Sequence, residues 1–152
     1  MRSLIEAYRN TTFRIELPEG EVSLRPDSPC RELNRFLAKN RWDHAAVITA
    51  FNPGSIERTR EENDRANHEL EMRISDDGHR FFRGVGEGND ADWHPEDSYL
   101  VCGIALKPAL KLAEAFGQYA IAFHTLGQET SIELTEIANS FLSHSRGSTY
   151  DS

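Results

Sequence analysis

The sequence predicts an α+β protein, an α/β sandwich whose core has the β-α-β-β-α-β order of ferredoxin-like folds. Short apolar runs alternate with amphipathic segments between about residues 45 and 124, and two of these runs follow one another with only a polar loop between them. A length of 152 residues suits one domain with a sizeable core. We therefore expect a single domain over 1–152, with an N-terminal extension over 1–44 and a C-terminal helix and tail over 125–152.

The N-terminal extension is predicted to hold a β-hairpin and a helix. Apolar and polar residues alternate on each side of the Pro-Glu-Gly segment at 18–20, which is typical of two strands joined by a turn. Ser28 is a residue type that caps helices, and proline suits the first helical position. A helix is therefore expected from about Pro29 to Lys39.

The core is predicted to begin with a strand buried on both faces. The run "HAAVITAF" is almost continuously apolar and ends at an Asn-Pro-Gly segment, 52–54. Thr59 and Glu62 then have the spacing of a capping box, so a helix is expected from Arg60 to Ser75. Two strands follow, "HRFFRGVGEG" and "DSYLVCGIA". The loop between them is too short and polar for the helix that a Rossmann-type alternation, the less favoured alternative, would require.

Two more helices and one strand complete the prediction. Apolar spacing predicts a helix from Lys107 to Phe116, followed by the strand "YAIAFHT". A terminal helix is expected from Ser131 to about Leu142, with a frayed tail after it. The glycines of "GVGEG" end a strand instead of opening a helix, so they do not form a phosphate loop. They indicate a bulge or a bend, where glycine lets the backbone come close to something else.

Composition argues against several classes of function. The chain has 25 acidic and 17 basic residues, a net charge of -8, whereas proteins that bind nucleic-acid backbones need clustered basic residues. No stretch approaches the roughly 20 apolar residues that span a bilayer, and the N-terminus does not have the pattern of a signal peptide. Cys30 and Cys102 lie in apolar patterns and are expected to be buried, reduced thiols. We expect a cytoplasmic protein that binds neither nucleic acid nor membranes; its oligomeric state is open.

Two asparagines on the first core helix are predicted to face inward. Asn63 and Asn67 share one helical face with Ala66, Leu70 and Ile74, which form the apolar stripe toward the core. A buried amide without a partner costs on the order of 1–3 kcal/mol. Each amide must therefore meet a polar group of the protein, a water molecule or a ligand near the start of this helix.

Five short motifs, taken in order, carry a resemblance to a known family. They are "ITAFNPGS", "EENDRANHEL", "GVGEG", "WHPEDSYLVCGI" and "FGQYAIAF". Through them the chain resembles an uncharacterised bacterial family, a domain of unknown function, over roughly Ala46 to Phe123. The matched residues are Asn52, Pro53, Glu62, Asn63, Asn67, Trp93, Glu96, Ser98, Gly117 and Gln118. The chain departs from the family's pattern at Ala66, where a polar residue is common, and at Tyr119. The resemblance implies no reaction, because the family has none assigned.

These observations predict a pocket for a small polar or phosphorylated ligand. The candidate ligand-binding residues are Asn52, Ser55, Asn63, Asn67, Trp93, Glu96, Ser98 and Gln118. The same residues, apart from Ser55 and Trp93, are also suited to a purely structural hydrogen-bond network. One alternative function is a protein-interaction module, of the inhibitor or immunity type, whose acidic surface binds a basic partner. Another is an enzyme in which Glu96 acts as acid or base. No cofactor is indicated, and the acidic loop "GEGNDADWHPED" does not have the spacing of a calcium-binding loop.

Overall fold

The computed structural model describes residues 2–88 and 94–140, which form a mixed α/β structure around one antiparallel sheet of seven strands. Its strands are β1 (Thr12–Leu17), β2 (Gly20–Leu24), β3 (His44–Ile48), β4 (Arg80–Glu87), β5 (Glu96–Cys102), β6 (Ala120–Thr125) and β7 (Ser131–Leu134). Its helices include α1 (Arg2–Arg9), α2 (Arg31–Lys39), α3 (Arg60–Asp76) and α4 (Leu106–Ala115). The strand order across the sheet is β2-β1-β4-β5-β3-β6-β7. None of the helices within the described ranges combines the length and apolar character that a membrane crossing requires.

Helices cover both faces of this sheet. On one face, α2 packs through Leu33 and Leu37 in a cluster with Ile15 of β1. On the other face, α3 packs over β4 and β5 and α4 packs over β3 and β6, with Leu70 and Leu112 in a second cluster. Neighbouring residues of a strand point to opposite faces, so each strand near the centre contributes to both clusters. The N-terminal extension therefore supplies two strands of the sheet and two helices, of which α2 covers the face opposite α3 and α4.

The predicted hairpin and the α3 capping box are both confirmed. β1 and β2 pair from Phe13 opposite Leu24 to Leu17 opposite Gly20, and their inward residues are buried. Helix α3 begins with reciprocal bonds between Thr59 and Glu62. Cys30 and Cys102 are buried and are not joined in a disulfide.

The predicted start of α2 is wrong by two residues. Helix α2 begins at Arg31, with Cys30 as the N-cap and no side-chain capping bond. The backbone before α2 is hydrogen-bonded to Thr130. The N–H of Thr130 donates to the carbonyl of Ser28 at 3.0 Å, and the N–H of Asp27 donates to the carbonyl of Thr130. Ser28 therefore belongs to a link with a distant loop and does not cap the helix.

The predicted terminal helix from Ser131 is also wrong in its first part. Ser131–Leu134 form β7, which pairs with β6 from Phe123 opposite Ser131 to Ala120 opposite Leu134. The open edge of β6 offers backbone groups that a strand can satisfy and a helix cannot. Residues 136–140 are helical, and the rest of the predicted helix and tail lies outside the described residues. The order of all seven strands is not that of a simple ferredoxin-like fold.

Candidate functional site

Both asparagines of α3 are buried, as predicted. Asn63 is 5 % exposed and Asn67 is 4 % exposed, and they lie on the same helical stripe as Leu70 and Ile74. The capping box at Thr59 sets the start of α3, so this stripe faces the sheet from the first turn onward. The amides point inward because they lie on the helical face that is turned toward the sheet.

Asn67 connects the end of β3 to the beginning of β5. The N–H of Ala50 donates to Asn67 Oδ1 at 2.8 Å, and Asn67 Nδ2 donates to the carbonyl of Asp97 at 2.9 Å. Thr49 Oγ1 donates to the same carbonyl at 2.7 Å. The amide thus binds two backbone groups at the point where the ladder between β3 and β5 has ended.

Asn63 is linked to Glu96 through Asn52. The N–H of Asn52 donates to Asn63 Oδ1 at 2.8 Å, and Asn63 Nδ2 donates back to Asn52 Oδ1 at 2.9 Å. Asn52 Nδ2 then donates to Glu96 Oε1 at 3.2 Å. Asn52 has a left-handed backbone with φ of 45°, a conformation that asparagine tolerates better than most residues. This geometry lets its backbone and side chain face two different elements.

The turn before β6 binds the same loop from a third side. Gln118 Nε2 donates to the carbonyl of Phe51 at 3.0 Å, and the N–H of Gly54 donates to the carbonyl of Gly117 at 2.7 Å. A Cβ on Gly117 would lie 2.8 Å from the Cβ of Pro53, so glycine allows this close approach. We call residues 49–58 the clamped loop, because α3, β5 and this turn all bind it.

The clamped loop accounts for the hydrogen bonds of the predicted amides. Within the described ranges, every fully buried side-chain nitrogen or oxygen has a partner. Ser55 is exposed on the loop, and its N–H donates to the carbonyl of Asn52. Trp93 lies outside the described residues. The ligand-binding role of the predicted residues stays a prediction, and the structure gives their amides an internal role.

A small cavity lies between α1 and the sheet, next to Glu96. It has a volume of about 30 Å³. It is lined by Tyr8, Thr11, Phe13, Val47, Thr49, Gly86, Glu96, Ser98 and the β6 segment 120–122. Burial raises the pKa of the Glu96 carboxyl, and the bond from Asn52 opposes this shift. The pKa of Tyr8 is also raised, first by burial and then by the nearby Glu96 and Tyr119.

The raised pKa of Glu96 predicts how the free energy of unfolding depends on pH. The folded protein holds this proton more tightly than the unfolded chain does, so the carboxyl favours folding at pH values below its ordinary pKa of 4.5. That contribution is lost as the pH rises through the raised value. We expect Glu96→Gln to remove this pH-dependent component and to raise stability near pH 7 relative to the wild type. Urea unfolding at about four pH values between pH 4 and pH 8 measures the free energy of unfolding of both proteins. Parallel curves of this free energy against pH would contradict the prediction.

A larger groove lies beside α3, above β1, β4 and β5. It has a volume of about 520 Å³, within the size range of small-molecule sites. Its ionisable lining includes Glu16, Glu21, Asp64, Glu71, Glu87, Asp97, Arg14, Arg83 and His68. Asn67, Ser98 and Tyr99 lie at its floor and wall. In the part of the chain that the structure describes, no group of three or more His, Cys, Asp or Glu side chains is arranged to hold a metal ion.

Sequence reasoning missed this groove and the contribution of α1. The polar positions of the hairpin alternation, Arg14, Glu16 and Glu21, were a usable signal, because they mark the strand face that no apolar residue covers. Tyr8 had no comparable signal. It precedes β1 directly in the chain and reaches Glu96 only because α1 folds back over the sheet.

Comparison with known proteins adds a family but no activity. No curated protein and no solved structure matches the chain. The model of one family, described as "Protein of unknown function (DUF3293)", matches residues 48–121. This segment runs from the end of β3 to the beginning of β6 and contains the whole clamped loop with all the groups that bind it. The resemblance inferred from the motifs is therefore confirmed: over residues 48–121 the chain matches DUF3293, a family with no assigned activity.

Proposed function

We propose that the protein is a binding module and that its ligand is a small, positively charged polar molecule held in the groove beside α3. The observation that carries this proposal is the groove itself, with its volume of about 520 Å³ and six carboxylates against two arginines in its lining. Such a lining attracts cations and repels phosphate groups. Of the two ligand types expected from the sequence, the polar one is favoured and the phosphorylated one is not.

Both arginines of the groove are already paired with carboxylates. Arg14 lies 3.3 Å from Glu87, and Arg83 lies 2.7 Å from Glu71. Asp64 and Asp97 share Arg60, which lies at 3.1 Å and 2.8 Å from them. The charges of these four carboxylates are therefore largely compensated by arginines of the protein itself. The excess negative charge is concentrated at the hairpin end of the groove.

Glu16 and Glu21 supply that excess charge. They lie opposite each other on β1 and β2, next to the pair that closes the two-residue turn. The closing pair is hydrogen-bonded, so Glu16 and Glu21 form the kind of pair whose side chains lie closer together. Like charges directly opposite each other are unfavourable, and a cation between them relieves the repulsion. Neither carboxylate has an ion pair with another described residue.

Spermidine is a suitable first probe for the groove. We expect spermidine to raise the unfolding temperature, because a ligand that binds only the folded state stabilises it. The effect should weaken as salt is added, while inorganic phosphate should have none. The double variant Glu16→Gln/Glu21→Gln is expected to lower the affinity for spermidine by roughly 3- to 30-fold, the value of two exposed charge pairs.

A matched control is available in the double variant Glu57→Gln/Glu129→Gln. It removes the same charge from exposed positions outside the groove lining. Isothermal titration calorimetry of the wild type and the two double variants separates binding of spermidine in the groove from its general attraction to an acidic protein. An equal loss of affinity in both double variants, or no binding of spermidine to the wild type, would refute the groove as a cation site.

A second candidate function is the binding of a basic segment of another protein. It is favoured by the outer face of the hairpin, which continues from the groove. The side chains exposed on this face are Arg14, Glu16, Glu21 and Ser23. A short lysine-rich peptide tests it against spermidine. Tighter binding of the peptide at equal ionic strength supports the protein partner, and equal or weaker binding supports the small molecule.

We also propose two finer features of the molecule. The four adjacent strands β4-β5-β3-β6, linked by α3 and α4, are consistent with a ferredoxin-like unit extended at both edges. A cytoplasmic location is supported by the two free, buried cysteines, since reducing compartments keep thiols unpaired.

A further inference from the structure

The cavity between α1 and the sheet has a chemical character of its own. Its volume of about 30 Å³ accommodates a group the size of one or two water molecules. Its lining combines aliphatic residues of β3 and β6 with Glu96, Tyr8 and three hydroxyl side chains. It shares only Ser98 with the lining of the groove and contains none of the groove's ionisable residues, so the two sites have different chemistry.

The three hydroxyls offer acceptors to this cavity. Thr11 Oγ1 donates to the carbonyl of Ala7 at 2.7 Å, and Thr49 Oγ1 donates to the carbonyl of Asp97 at 2.7 Å. Ser98 Oγ donates to the carbonyl of Glu96 at 3.1 Å. A hydroxyl has one proton to donate and two lone pairs. Because each proton is already used on a backbone carbonyl, these three hydroxyls present only lone pairs to a guest, and Thr49 Oγ1 already uses one of its lone pairs to accept the N–H of Phe51 at 3.1 Å.

The carboxyl of Glu96 adds a further acceptor without a counter-ion. Its Oε1 accepts a bond from Asn52, and no Lys, Arg or His among the described residues forms an ion pair with it. The groups whose charge raises the pKa of the neighbouring Tyr8 are Glu96 itself and Tyr119, neither of which carries positive charge. A half-buried carboxylate in such surroundings is costly unless it gains a cation or a proton.

We propose that this cavity binds a primary ammonium group, with Glu96 as its counter-ion. An ammonium group has three donors and no acceptor, which complements the acceptors that Glu96 and the three hydroxyls of Thr11, Thr49 and Ser98 offer. The aromatic side chain of Tyr8 is compatible with a cation beside it. The ligand class is therefore a small primary amine whose charged end enters the cavity.

Methylammonium chloride is the direct probe of this site. Tetramethylammonium chloride has the same charge but no N–H donors and is too large for the cavity, so it is the matched control, and potassium chloride controls for a bare cation. At equal ionic strength, we expect only methylammonium to raise the unfolding temperature of the wild type, in a saturable manner and by a few degrees. The Glu96→Gln variant should lose this response, and Glu16→Gln/Glu21→Gln should retain it. Loss in the second variant instead would assign the effect to the groove.

The carboxyl of Glu96 provides a second readout that does not depend on stability. When its carbon resonance is followed by NMR during a pH titration, methylammonium is expected to lower the pKa of Glu96, because a bound cation favours the ionised form. A pKa unchanged by methylammonium would overturn the proposal and identify Glu96 as a group that only exchanges a proton. An equal shift with potassium chloride would overturn the preference for an N–H donor.

Discussion

Replacing Asn67 with leucine is expected to lower the free energy of unfolding by roughly 2–4 kcal/mol. The N–H of Ala50 donates to Asn67 Oδ1, and it would remain buried without an acceptor. The carbonyl of Asp97 would lose one donor but keep the bond from Thr49. The cost therefore comes mainly from one orphaned backbone donor, with a smaller contribution from the second bond. Urea unfolding with an unchanged slope measures the loss.

Two further variants make this experiment specific to the amide. Asn67→Ala removes the same polar atoms without the bulk of leucine and is expected to be about as destabilising. Glu69→Leu introduces leucine at an exposed position of the same helix and should change stability by no more than about 0.5 kcal/mol. If Asn67→Leu cost no more than Glu69→Leu, the bond between α3 and the clamped loop would contribute little to stability.

Replacing Gly84 with alanine is expected to cost about 3 kcal/mol, at the upper end of overpacking effects. A Cβ at this position would lie 2.5 Å from Ile15 Cδ1 and 2.6 Å from the carbonyl oxygen of Arg14. Ile15 pairs directly with Gly84 between β1 and β4, so the strand cannot move away without losing its ladder. The isoleucine side chain can shift, but the backbone oxygen cannot. Thermal and urea unfolding both measure this loss.

Gly86 is the natural control on the same strand. A Cβ there would lie 3.3 Å from Phe13 Cε1, and an aromatic ring can turn or shift by a few tenths of an ångström. Gly86→Ala is therefore expected to cost less than about 1 kcal/mol. A smaller loss for Gly84→Ala than for Gly86→Ala would mean that β1 yields at this point and that the glycine is not required for pairing.

Local sequence patterns were sufficient for much of this molecule. The alternation around 18–20 predicted the hairpin, and the capping box together with the i, i+4 spacing predicted both α3 and the inward direction of its asparagines. The glycines of "GVGEG" indicated that the backbone comes close to some other group, and at Gly84 the structure shows that this neighbour is β1. These features depend on residues near one another in the chain, where periodicity and steric preference act directly.

Long-range contacts decided the rest. Ser131–Leu134 have an apolar spacing that fits a helix, yet they form a strand because β6 presents an open edge. The partners of Asn63 and Asn67 lie in the clamped loop and at Asp97 of β5, and Tyr8 reaches Glu96 from the N-terminal helix. The groove exists because β1 and β2 extend the sheet beyond the cover of α3. Periodicity reports which side of an element is apolar, but which distant element meets that side depends on how the whole chain closes around its core.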